Sequence, residues 1–290
     1  MLQTQTGGFP IGFREVGTWK VDSDALFGWA REQELAVIDL VTNAVVRAEG
    51  AKAAGLQVGA ADLPRPKGMI TADAERRAAA VSEACEFVEA AAEAGIENIL
   101  TIMLPEDPSV PRQDNFAYMV AAYREIGPIL EEQNCRLVIE GWPGPGCVCS
   151  TPEGYRAFFE ECPTPCFGIN YDPSHLMRMG IDPLRFLREF AGRVHHVHGK
   201  DAELAAEKLY EYGWEVPSLS GERPAFGGDI WRYTIPGHGQ MRWTAAFEIL
   251  AENGYNGSVC IELEDARFNR GSGDSEQRAL VLASRFLSGC

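Results

Sequence analysis

The sequence predicts a closed (β/α)₈ barrel, and three observations point there. Short runs rich in Val, Ile and Leu recur eight times, alternating with longer amphipathic stretches. Such continuously apolar runs are what parallel strands covered on both faces require. Eight strand–helix units in 290 residues match one closed barrel, commonly about 250 residues, better than an open sheet. No GxGxxG segment follows the first run, which argues against a dinucleotide-binding sheet. No linker or low-complexity tract divides the chain, so residues 1–290 are read as a single domain.

The elements follow in order. FPIGFREV (9–16) is the first strand. The helix DSDALFGWAREQE begins on Asp22 or Ser23, either of which can accept from an early helical N–H. LAVIDLV (35–41) and QVGAADL (57–63) are the second and third strands. The Ala- and Glu-rich stretch 71–95 is a helix closed by Gly95. ILTIML (99–104) is the fourth strand. The helix spanning 115–134 carries Pro128 inside, where a missing N–H and a bulky ring predict a kink or break. RLVIEG (136–141) is the fifth strand, and the next helix opens on Thr151 as cap with Pro152 at its first position. CFGINYD (166–172) is the sixth strand, and Asp182 and Pro183 repeat the capping device. VHHVHGK (194–200) is the seventh. Residues 213–240, rich in Gly, Pro and Trp, interrupt the pattern as a long loop expected to pack near the site. A helix ending at Gly254, the eighth strand SVCIELE (258–264) and the helix SEQRALVLASRFLSG complete the chain.

Charge excludes some partners. Forty-two acidic against 26 basic residues give a formal net charge of -16, which repels phosphate backbones and anionic lipid. No nucleic acid and no membrane partner is expected. No run of about 18 apolar residues is present to span a bilayer. The segment MLQTQTGGFPIGF lacks the basic start and long apolar run of a secretory leader, so a cytoplasmic location is expected. The cluster Cys147, Cys149, Cys162 and Cys166 does not have zinc-knuckle spacing. The eight cysteines are read as reduced thiols.

All five histidines fall between 175 and 238, and acids gather at strand ends in the same half of the chain. The fifth strand ends at Glu140, the sixth at Asp172, the seventh offers His198, and the eighth ends at Glu262. Consecutive barrel strands are neighbours whose C-terminal ends share one mouth. Taken singly, each acid reads as a solvated loop residue and the histidine as a core residue. Four candidate ligands at equivalent depth on four successive strands read instead as a site for one divalent ion. Oxygen-rich ligation with one nitrogen favours Mn²⁺, with Mg²⁺, Co²⁺ or Zn²⁺ as alternatives. His195 and His196 must face opposite sides of their strand. Both read as structural, with His196 on the His198 face one layer deeper.

The segments VIEG, NYDPSH, HHVHGKDAEL, RYTIPGHGQMRW and GYNGSVCIELED resemble those of the xylose isomerase-like barrel superfamily of sugar phosphate isomerases and epimerases. The resemblance implies the same four metal ligands, with Glu140 and Glu262 also moving protons at the carbon beside a carbonyl. It implies that His175 contacts a substrate hydroxyl and that Lys200 lies near the site with Asp201 supporting it. Family members often pair as dimers or tetramers, which allows a homo-oligomer here, and the helix faces do not decide it. The chain also departs from the family pattern. Trp142 stands where many members have His, and either walls the sugar or packs under its loop. Leu204 sits near the place of a substrate-gripping Arg, a role that Arg232 either assumes or leaves vacant as a surface residue. His238 either reaches the mouth or faces solvent. The expected function is sugar or sugar phosphate isomerisation or epimerisation. The alternatives are dehydration of an inosose-type keto-polyol, or a non-catalytic sugar-binding barrel. A related abasic-DNA endonuclease is disfavoured by the few histidines and the acidic charge.

Overall fold

The computed structural model describes residues 1–19, 21–219 and 221–290. Seven parallel strands come first in the chain: β1 (Ile11–Arg14), β2 (Val37–Leu40), β3 (Gln57–Asp62), β4 (Asn98–Thr101), β5 (Arg136–Glu140), β6 (Phe167–Tyr171) and β7 (Val194–Gly199). Two short strands, β8 (Asp201–Leu204) and β9 (Trp231–Thr234), pair antiparallel outside the barrel. β10 (Val259–Ile261) then closes the ring between β7 and β1. The closed order is β1-β10-β7-β6-β5-β4-β3-β2. Each of the eight expected runs supplies one barrel strand, shorter than the run itself because its last residues continue into the loop at the mouth.

The expected caps are present. Asp22 accepts from Ala25 N–H ahead of α1 (Ser23–Glu32). α3 (Ala74–Glu93) is followed by Gly95 at φ +67°. Thr151 caps α5 (Pro152–Glu161), and Asp182 caps α7 (Pro183–Phe190). α9 (Trp243–Glu252) and α10 (Asp274–Ser288) follow the expected patterns.

Four features differ from expectation. α2 (Ala44–Ala53) buries Ala44, Ala48 and Ala51, a face too small in side-chain volume to stand out as an apolar stripe. α4 (Arg112–Glu132) runs through Pro128 without interruption. Pro128 is exposed while Ile126, Gly127 and Leu130 are buried beside it, so packing of its neighbours holds the helix across the missing N–H. The short α6 (Pro173–Arg178) and α8 (Ala206–Tyr212) were not foreseen. The 213–240 loop is not wholly irregular, because its residues Trp231–Thr234 form β9 on β8. That partner lies outside the loop, beyond the reach of a local pattern.

The main apolar core lies between the strands and the helix ring, where Phe13, Tyr123, Phe158, Phe167 and Phe247 are fully buried. The smaller clusters Ala36, Val37, Cys260 and Ala60, Leu100, Val138 stand apart from it. Residues two apart on a strand share a face. Val37, Val138 and Cys260 therefore share the faces of Asp39, Glu140 and Glu262.

Candidate metal centre

Barrel closure places β10, β7, β6 and β5 side by side. Glu262 follows β10, His198 lies on β7, Asp172 follows β6 and Glu140 ends β5. One donor atom from each lies within 4.8 Å of the others. The two glutamates thus stand at opposite ends of a four-strand arc. His198 Nδ1 is 2.7 Å from Glu140 Oε1 and 3.4 Å from Glu262 Oε2. Asn170 donates to Glu140 Oε1 at 3.1 Å. Asp172 caps α6, accepting from Ser174 N and Oγ on Oδ1. Its Oδ2 is buried and faces His175 and Lys200.

His175 and Lys200 join this group. His175 Nε2 is 3.3 Å from Asp172 Oδ2. The buried Lys200 ammonium lies 3.1 Å from Asp172 Oδ2 and 2.9 Å from Glu264 Oε2, and it also pairs with Glu262. Trp142 is half-buried, with its ring against Gly144 of its own loop. Arg232 faces away from the cluster, and its Nε donates to Glu203 at 2.6 Å across the β8–β9 pair. From that strand it is the neighbouring Tyr233 that reaches His175. His238 is exposed. Asp201 does not touch the acids. It accepts from the N–H groups of Ala202 and Met241 at 2.8 and 2.9 Å and so anchors the segment before α9. His195 faces the Pro165 carbonyl, and all eight cysteines are free thiols.

Sequence reasoning missed several residues of the mouth. Arg14, at the end of β1, grips Asp62 with two hydrogen bonds of 2.6 and 2.7 Å and sets its Nε 3.2 Å from Glu262 Oε1. Asp39 on β2 takes a 2.8 Å contact from His196 Nε2 and lies 3.4 Å from His198 Nε2. The available signal was alternation, since Arg14, Asp39 and Asp62 occupy inward positions in strands otherwise read as apolar.

Buried acids and buried cations face one another in this cluster. Burial alone would raise the Glu140 carboxyl, yet His198 and His175 hold it well below the usual carboxylate range. Burial likewise opposes ionisation of Glu262, and Lys200 and His198 overcome it. Burial works against a charged His198 and a charged Lys200, but the surrounding carboxylates raise both. Three carboxylates and one imidazole with a donor atom each within 4.8 Å of the others suit a hard or borderline divalent cation. Two cavities open at this mouth and share Arg14 as a wall. One of about 780 Å³ is lined by Glu262, Glu264 and Trp19, the other of about 660 Å³ by Asp62, Lys67 and Thr101.

The family model of the xylose isomerase-like TIM barrel matches residues 17–286. The chain belongs to this family. Within the xylose isomerase-like barrels, an inosose dehydratase of Clostridium tetani is 27% identical over 159 residues, 55% of this chain and 50% of the relative. The chain spans about half or less of the length of the curated relatives it matches. A solved D-psicose 3-epimerase with D-fructose superposes with a TM-score of 0.72 at 16% identity, covering 97% of this chain and 100% of the other. The IOLI protein with a zinc atom bound gives a TM-score of 0.72 at 14% identity, covering 96% and 98%. At these identities the two structures bear on the fold alone.

Proposed function

We propose that the protein is a divalent-metal-dependent isomerase or epimerase of a sugar or sugar-like polyol. The observation that carries this reading is the arc of Glu140, Asp172, His198 and Glu262, which leaves a glutamate at each end. A bound divalent ion, Mn²⁺ in this reading, supplies Lewis-acid polarisation of a substrate carbonyl. Glu140 and Glu262 are both held as carboxylates, the form a base needs. One takes the proton from the carbon beside the carbonyl, giving an enediolate. The other, after taking up a proton from solvent or from a substrate hydroxyl, returns it to carbon from its own side, and the first gives up the proton it took. Return to the opposite face of the same carbon epimerises it. Return to the neighbouring carbon, with a proton moved between the oxygens, isomerises. His175 and Lys200 hold substrate oxygens beside the acids, whereas Arg232 and Trp142 have no part in this reading. The free thiols fit a cytoplasmic setting.

A second reading, dehydration of an inosose-type keto-polyol, draws support from the inosose dehydratase relative. It also draws on the Lys200 ammonium beside Glu262. In that reaction a glutamate removes the carbon-bound proton, the β-carbon–oxygen bond breaks, and the departing hydroxide gains a proton from the Lys200 side and leaves as water.

Proton NMR in D₂O separates these readings. With Mn²⁺ and a panel of ketoses and keto-polyols, deuterium should enter the carbon next to the carbonyl, and loss of water would mark dehydration. The reading fails if Mn²⁺ binds and no member of the panel exchanges. Glu140→Gln and Glu262→Gln should each lower turnover by about 10²–10⁴-fold while still binding the metal.

A further inference from the structure

His175 has two sides, and the side away from the metal cluster is unusually well defined. Its Nδ1 lies 2.6 Å from Tyr233 Oη. Arg178 Nη1 donates to the same hydroxyl at 2.7 Å, its Nη2 donates to the Pro143 carbonyl at 3.2 Å, and its guanidinium stacks 4.4 Å over the Trp231 ring. His175 is 1% exposed and Tyr233 3%.

The donor count sets the directions. An arginine has no acceptor and stays protonated, so in the Arg178–Tyr233 contact the hydroxyl oxygen accepts. The hydroxyl hydrogen then has His175 Nδ1 as its acceptor. If Nδ1 carried a hydrogen, two donors would converge on the phenolic oxygen. The buried O–H would be left without an acceptor among the contacts it makes, a costly arrangement. The same objection applies to a doubly protonated ring. On the other side, Nε2 is 3.3 Å from the buried Asp172 Oδ2, an acceptor for an Nε2 proton. Lys200 Nζ stands 3.4 Å from Nε2. It has nearer partners in Asp172, Glu262 and Glu264 and does not need the histidine as acceptor.

We infer that Tyr233, braced by Arg178, is a positioning residue that fixes His175 as the Nε2–H tautomer, with its proton facing the carboxylate cluster. The β8–β9 pair is then part of the site, since β9 delivers Tyr233. His175 Nε2–H and Lys200 Nζ become two neighbouring donors on either side of Asp172 Oδ2, 3.3 and 3.1 Å from it. Resting on the reading above, the subsite they form takes an electron-rich oxygen: a carbonyl, an enediolate oxygen or a departing hydroxyl. It does not serve a group that must itself donate.

The test is the tautomeric state of His175 in protein labelled with ¹⁵N-histidine, read from long-range ¹H–¹⁵N correlations with and without Zn²⁺. His175→Asn assigns the signals. The wild type should show a protonated Nε2 and a bare Nδ1. Tyr233→Phe, which keeps the ring and removes the hydroxyl, should shift His175 toward the Nδ1–H form or exchange between forms, with zinc affinity unchanged. An Nδ1–H or doubly protonated ring in the wild type overturns the inference, as does an unaltered tautomer in a folded Tyr233→Phe protein. The wild-type spectrum decides the matter even if the variant does not fold. No substrate enters the measurement, so failure of the proposed function is read separately.

Discussion

His198 is addressed from both edges of its ring. Nδ1 faces Glu140 and Glu262, and Nε2 faces Asp39 Oδ2 at 3.4 Å. Burial disfavours a charged Asp39, yet His196 and His198 hold its carboxyl low. A histidine that ligates through one nitrogen is generally oriented by a carboxylate or carbonyl on the other. Gly59 makes room for this layer: a Cβ there would come within 2.4 Å of Asp39 Oδ1 and 3.0 Å of His196 Cε1. Asp39→Asn is therefore expected to weaken divalent-metal binding by about 10–100-fold, measured by calorimetric titration. Unchanged affinity would mean that Asp39 only fills the barrel interior.

At the scale of elements, the start of α10 is held to the loop before it by one side chain. Glu276, in the first turn, accepts from the N–H groups of Arg270 at 2.9 Å and Gly271 at 2.6 Å, and from Thr18 Oγ1 at 3.2 Å. A carboxylate at a helix N-terminus also meets the favourable end of the helix dipole. Burial would raise the Glu276 pKa, but these donors win and lower it below 4.5. A carboxyl with a lowered folded pKa stabilises the fold above its unfolded value. That contribution is lost as pH falls through the folded value. Thermal unfolding should therefore show wild type losing stability below about pH 4.5 more steeply than Glu276→Gln. At neutral pH the variant should be less stable by about 1–3 kcal/mol. Parallel pH profiles for the two proteins would remove Glu276 from this account.

For the whole molecule, the carboxylates of the mouth add to a net charge of -16, so self-repulsion opposes compaction. A divalent ion binding only the folded chain should offset part of it. At a concentration 100-fold above Kd, linkage contributes about 2.7 kcal/mol, and for a chain of this size the melting temperature should rise by about 5 °C. Differential scanning calorimetry with and without Mn²⁺ measures this. Asp172→Ala should lose most of the rise, and a wild-type melting temperature indifferent to Mn²⁺ would argue against the metal centre.

The sequence by itself determined the eight barrel strands, most helix caps, the family and the residues that would form the cluster. Each of these is written in short-range order: apolar runs, a cap within one turn, an acid or imidazole where a strand ends. It did not determine α2, whose buried alanines carry little apolar contrast, or β9, whose partner lies outside its own loop. Nor did it bring Arg14 to Glu262, Asp39 to His196 across 157 positions, or Tyr233 to His175 across 58. Those contacts depend on which inward faces meet once the ring closes and the β8–β9 pair folds over its mouth. Closure is a property of all eight strands at once, and no local window of the chain contains it.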